Sequence, residues 1–279
     1  MLPKVFVSSF PKGGTNLVAK LLEQFNFSIK TGLSSALIFG KYQFLKKIVR
    51  GSLFSSDSLV IGVDVPVMLR KSWVVNRLEN VGLGEVAVGH VPYSEQFSNI
   101  IDSFGFKRIL IIRDPRDIVV SHAHYVSSNK DHFLYRYYQS LPNSNQRIKF
   151  SMTGGYVRGV GYLESINSRA LSLEGWMRKE ETLILKFESL VGPEGGGSRE
   201  LQWQEIFRLC NFLEIEVTQD QVARSISTLF GGTRTFRKGL IGGWKEELNP
   251  GHINLFNQLT GDLLNRWSYE DSTVYQDGC

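Results

Sequence analysis

Short apolar runs alternate with longer amphipathic stretches along the chain. Lys4 to Phe10 is a nearly continuous apolar run, Pro11 to Gly14 reads as a tight turn, and Thr15 to Phe25 repeats apolar Leu17, Val18, Leu21 and Leu22 at helical spacing. This pattern predicts strand, loop, helix. Residues 59–65 and 85–90 predict further strands, and residues 106–113 give the clearest one. Pro115 opens a helix through about Ser127, because proline suits the first helical position, and Leu183 to Phe187 reads as another strand. Short apolar strands separated by helices predict an α/β fold. The expected form is a single domain over residues 1–279, with a central parallel sheet covered by helices on both faces. Ligands of such sheets bind beyond the carboxyl ends of the strands.

Three stretches read as loops or lids: residues 30–57, residues 127–161, and the glycine-rich Gly192 to Ser198. The second carries Phe133, Tyr135, Tyr137, Tyr138 and Phe150, which suit either the lining of an acceptor pocket or a buried aromatic cluster. No internal repeat is present.

Composition narrows the function. With 279 residues, 42% of them hydrophobic, the chain can bury a large core, yet no apolar run approaches the roughly 20 residues a membrane-spanning helix needs. The first residues lack the pattern of a secretory leader. Two cysteines, Cys210 and Cys279, make no disulfide framework and no metal-ligand spacing, so a cytoplasmic protein without a metal is expected. His122 and His124, one residue apart on a helix, point in different directions and do not suit a shared metal. A net charge of +5 favours a small anionic ligand and is too modest to announce nucleic acid.

Two segments place anion-binding chemistry at strand ends. In Phe10-Pro-Lys-Gly-Gly-Thr-Asn-Leu17 a strand passes to a helix, so backbone N–H groups converge there. Gly13 and Gly14 allow close approach, Thr15 and Asn16 add side-chain hydrogen bonds, and Lys12 adds charge. Lys12 precedes both glycines, which is not the order of the nucleotide triphosphatase loop Gly-x-x-x-x-Gly-Lys-Ser/Thr. Arg113-Asp-Pro-Arg-Asp-Ile-Val-Val-Ser121 again follows a strand, with Arg113 at the strand end and a helix N-terminus just beyond. Arg116 and Asp117 read as structural residues of the first helical turn. A third segment, Phe236-Arg-Lys-Gly-Leu-Ile-Gly-Gly-Trp-Lys245, is rich in glycine and cations.

These segments together resemble the cytosolic and bacterial sulfotransferase family, which uses 3'-phosphoadenosine 5'-phosphosulfate. The first resembles Pro-Lys-Ser-Gly-Thr-Thr-Trp, with Asn16 for the second threonine and Leu17 for a tryptophan that stacks on adenine. The second resembles Arg-Asn-Pro-Arg-Asp-x-x-x-Ser, and the resemblance implies that Arg113 and Ser121 hold the 3'-phosphate. The third resembles Arg-Lys-Gly-x-x-Gly-x-Trp-Lys, which implies that Arg237, Lys238 and Gly239 close over that phosphate. Residues 225–232 resemble the family's Ser-Phe-Glu-x-Leu element with Ile226 at the adenine contact, and 185–190 resembles its Tyr-Glu-Asp-Leu strand end with Phe187 for the tyrosine. His90-Val-Pro resembles Thr-His-Leu-Pro, implying His90 as general base, while Val88 stands where a lysine is frequent.

The resulting expectation is sulfuryl transfer to a hydroxyl group of a small-molecule, lipid or glycan acceptor. Catalysis is assigned to Lys12, His90 and Ser121, and no metal is required. A P-loop small-metabolite kinase and a non-catalytic nucleotide-binding relative are the alternatives. Phenol, lipophilic alcohol, polyketide and sugar acceptors stay open, as does oligomeric state.

Overall fold

A computed structural model of the chain describes residues 1–35, 39, 57–232 and 237–269. Its centre is a sheet of five parallel strands in the order Ser28–Leu33, Glu85–Gly89, Lys4–Ser9, Phe106–Ile112 and Thr182–Lys186. The strands in chain order are β1 Lys4–Ser9, β2 Ser28–Leu33, β3 Ser58–Ile61, β4 Val67–Arg70, β5 Glu85–Gly89, β6 Phe106–Ile112, β7 Gly155–Val157, β8 Gly161–Leu163 and β9 Thr182–Lys186. Side chains alternate between faces along a strand. Thus Phe6 packs on one side with Phe97, Leu110 and Trp176, while Val5 and Val7 pack on the other with Val18, Leu21, Ile109 and Ile111. Burial on both faces explains why β1 and β6 read as unbroken apolar runs.

The helix Thr15–Gln24 buries Val18, Leu21 and Leu22, and Pro115–Ser128 starts at its proline with the Asp114 side chain accepting from the Arg116 N–H. The expected alternation of strands and helices around a parallel sheet is therefore present.

Three expectations are corrected. Residues 59–65 form a strand only to Ile61, outside the central sheet: Gly62 takes φ 95°, a conformation that favours glycine, and turns the chain so that β3 pairs antiparallel with β4 in a separate hairpin. Lys30 to Leu33, expected within a loop, belongs to β2, which among the described residues is an edge strand paired only with β5. Residues 127–161 hold the helices Tyr135–Ser140 and Ser144–Thr153 and the β7–β8 hairpin rather than a loop. Tyr138 is fully buried there and shares hydrogen bonds with Ser151 at 2.8 Å and with His122 at 3.3 Å. Gly192 to Ser198 is a loop around one short turn, Pro193–Gly195. Cys210 is buried, which pushes its thiol up to about 12; Cys279 and Phe236 lie outside the described residues.

Candidate active site

A cavity of about 290 Å³ opens at the carboxyl ends of the parallel strands. The loop after β1 forms its floor. Lys12 sits at φ 73°, a left-handed conformation uncommon for a residue with a Cβ, and Gly14 at φ 116°. Gly14 caps the helix Thr15–Gln24 without any side-chain cap, so the first helical N–H groups face the cavity beside Thr15 and Asn16. A Cβ on Gly14 would lie 2.7 Å from Ile111 Cδ1. Gly14→Ala therefore strains both backbone and sheet by about 1–3 kcal/mol, and thermal melting is expected to show Tm lower by roughly 3–10 °C. An unchanged Tm would show that the loop relaxes freely.

Arg113, at the end of β6, ties the cavity walls together. One Nη donates to the carbonyl of Leu240 at 2.9 Å and the other reaches the carbonyl of Lys12 at 3.5 Å. Its guanidinium lies 4.1 Å from the ring centroid of Phe187, at the end of β9. It is 8% exposed, and its Nε has no hydrogen-bond partner among the described residues. Burial pulls the Arg113 pKa down, while Asp117, Glu188 and Asp114 oppose that shift. Lys12 packs its ammonium 4.3 Å from the Tyr125 ring centroid. Burial, then repulsion from Arg113 and Arg237, lowers its pKa to about 8.

The glycine-rich segment after residue 236 closes the cavity because Asp117 holds it. The two Asp117 oxygens accept from the N–H groups of Gly242 and Trp244, each at 2.9 Å, and Ile241 N–H donates to the Gly195 carbonyl at 2.9 Å. Arg237, Lys238 and Gly239 are thereby brought to the lining beside Ser121. Arg237 pairs with Glu247 at 3.2 Å, and Lys238 with Glu246 at 3.5 Å. Arg116 is structural: it forks onto Asp114 and stacks 4.1 Å from the Trp244 ring centroid.

His90 follows β5 on the opposite side of the Lys12 loop. Its Nδ1 lies 2.9 Å from the carbonyl oxygen of Ser9. A carbonyl only accepts, so Nδ1 carries the proton and Nε2 keeps its lone pair. Burial lowers the His90 pKa below its usual 6.5, so the ring is neutral at pH 7.

The model of the sulfotransferase domain family covers residues 2–268. The chain belongs to the sulfotransferase domain family. Three solved structures share the sulfotransferase fold. A mouse sulfotransferase complexed with PAP has TM-score 0.62 and 17% identity, over 95% of this chain and 85% of that one. Retinol dehydratase with androsterone and inactive cofactor PAP has TM-score 0.60 and 15% identity, over 99% and 83%. Retinol dehydratase with retinol and PAP has TM-score 0.55 and 16% identity, over 95% and 82%. No curated protein matches the sequence.

The sulfotransferase domain gathers Lys12, Gly14, Thr15, Asn16, Leu17, His90, Arg113, Ser121, Phe187, Arg237, Lys238 and Gly239 around one cavity. Two expected residues stand apart from the lining. Gly13 is buried, with its N–H on the Phe10 carbonyl at 3.0 Å, and supports the turn from behind. Ile226 packs against the core on the Val18 side of the sheet; Leu229 and Phe230, at the end of the same helix, take the place expected for it. The aromatic residues Phe133, Tyr135, Tyr137, Tyr138 and Phe150 are not in the lining, where Tyr125 and His132 appear instead. Asp64, Ser34 and Ser35 also line the cavity, and nothing in their local sequence signals it. His122 is buried against Ser151 and His124 pairs with Glu247, so the two histidines serve different neighbours. Among the described residues no helix is long and apolar enough to cross a membrane.

Proposed function

We propose that this protein transfers a sulfuryl group from 3'-phosphoadenosine 5'-phosphosulfate to an alcohol or phenol hydroxyl. The observation that carries this is one cavity lined by the Lys12 loop, Arg113, Ser121 and Arg237–Gly239. Four cations, Lys12, Arg113, Arg237 and Lys238, share that cavity, and the buried Arg113 Nε has no partner among the described residues, which fits a ligand with two separate phosphates.

The residues divide the work by position. The loop from Lys12 to Asn16 would hold the 5'-phosphate, and Arg113, Ser121, Arg237, Lys238 and Gly239 the 3'-phosphate. Leu17, Phe187, Leu229 and Phe230 would wall the adenine. Bound there, the donor supplies an activated sulfuryl group and departs as adenosine 3',5'-bisphosphate. Lys12 would stabilise with its ammonium the charge that builds on the leaving phosphate oxygen. His90 presents the Nε2 lone pair that takes the proton of the attacking hydroxyl. Asp117 acts at one remove by holding the loop that carries Arg237.

A radiolabelled donor, offered with a panel of phenols, alcohols and sugars, tests this reading. Label transfer that persists in excess chelator is expected, because Lys12 and Arg113 supply the positive charge. Phosphoryl transfer from magnesium ATP to the same acceptors, without sulfuryl transfer, would favour a kinase and refute it.

A further inference from the structure

The cavity continues past His90 to a polar end that the donor phosphates do not require. Strand order explains the division. Arg113 and Phe187 follow β6 and β9 on one side of the central β1 loop, whereas His90 follows β5, and Gly32, Ser34 and Ser35 line the cavity at and beyond the end of β2, on the other side. The β3–β4 turn is seated against that second side: the Gly62 N–H donates to the His90 carbonyl at 2.9 Å. A Cβ on Gly62 would stand 2.7 Å from Ser35 Oγ, so the seat is close. This turn delivers Asp64, which is only 4% exposed, into the lining. The Ser35 hydroxyl donates to one Asp64 oxygen, and the other accepts from none of the described residues.

His132 lines the same cavity with the complementary group. Its Nδ1 accepts the Leu134 N–H at 3.2 Å, so the proton of the neutral ring sits on Nε2. Burial lowers the His132 pKa to about 4, which keeps the ring neutral. Among the described residues nothing accepts from that Nε2–H. One unanswered acceptor and one unanswered donor therefore line the acceptor end.

We infer that Asp64 and His132 read a second hydroxyl group on the acceptor, which makes the substrate a polyol or sugar-like alcohol rather than a lipophilic monoalcohol. A hydroxyl both donates and accepts, so it satisfies Asp64 and His132 together. An ammonium only donates and leaves the His132 N–H unanswered. An alkyl chain leaves both groups desolvated without partners. The inference rests on the sulfuryl-transfer reading with His90 as base.

The test measures kcat/KM with radiolabelled donor for 1-hexanol, 1,2-hexanediol and 2-amino-1-hexanol. The diol is expected to exceed the monoalcohol by about 10- to 100-fold, from one hydrogen bond to a charged group, with the amino alcohol below the diol. Asp64→Asn keeps the shape and the Ser35 bond but turns an amide NH₂ toward the cavity, so it should bring the diol-to-monoalcohol ratio to about 3 or less. His132→Phe keeps the stacking on Phe133 and should lower the same ratio, which gives an independent reading if the first variant folds poorly. Equal kcat/KM for diol and monoalcohol, or a preference for the diol that both variants retain, overturns the inference. Transfer to phenols but to none of the three probes overturns it while leaving the sulfotransferase reading intact. No transfer to any hydroxyl compound, despite intact binding of adenosine 3',5'-bisphosphate, overturns both.

Discussion

His90→Ala is expected to lower kcat by about 10²- to 10⁴-fold, the usual range for removal of a general base, while leaving the affinity for adenosine 3',5'-bisphosphate nearly unchanged. The split follows from position. His90 follows β5 on the side of the Lys12 loop away from Arg113, with Nδ1–H fixed on the Ser9 carbonyl and Nε2 left to act. The pH profile adds a second reading. In kcat/KM, activity should rise with pH through a limb below 6.5, where the buried His90 loses its proton, and fall through a limb near 8, where Lys12 loses its own. The sign is opposite for the two groups because the base must be neutral and the ammonium charged. The variant should lose the acid limb and keep the alkaline one. Full activity in His90→Ala, or an unchanged acid limb, would reject the assignment.

Arg113→Ala should weaken binding of adenosine 3',5'-bisphosphate by about 10- to 150-fold, the equivalent of one charge-assisted hydrogen bond of about 1.5–3 kcal/mol. The loss should depend on the 3'-phosphate, so adenosine 5'-phosphate should bind the variant about as it binds the unaltered protein. Arg113→Lys is expected to recover only part of the affinity, because an ammonium cannot reproduce the planar fork that meets Leu240 and stacks near Phe187. Thermal melting separates this effect from general damage, since removing Arg113 takes away the cation 3.8 Å from the buried Asp117. A variant that still discriminates fully for the 3'-phosphate would place that phosphate elsewhere.

The parts of the fold legible in the sequence are those where burial is complete. β1 and β6 are covered on both faces, so their apolar runs carried the signal, and Pro11 and Pro115 punctuated the ends. β2 is less legible because its sequence Ser-Ile-Lys-Thr-Gly-Leu lacks that run, in keeping with a strand that pairs on one side only among the described residues. The helices at 135–153 escaped because their stability comes from tertiary contacts such as Tyr138 with Ser151 and His122, not from a strong local period. Site residues followed the same division. Lys12, His90 and Arg113 stand at or just beyond strand ends, and Ser121 two turns into the helix opened by Pro115, so local pattern located them. Asp64 and His132 reach the cavity through contacts that no neighbouring residue announces, chiefly the long-range bond from Gly62 to His90. Ile226 shows the limit of a register: three or four residues along the same helix, Leu229 and Phe230 face the cavity instead.

One calorimetric titration bears most directly on the shared phosphate cavity: the unaltered protein with adenosine 3',5'-bisphosphate, against adenosine 5'-phosphate under the same conditions. One nucleotide is expected to bind per chain, at least about tenfold tighter with the 3'-phosphate present. Equal affinities, or no binding of the bisphosphate, would contradict it.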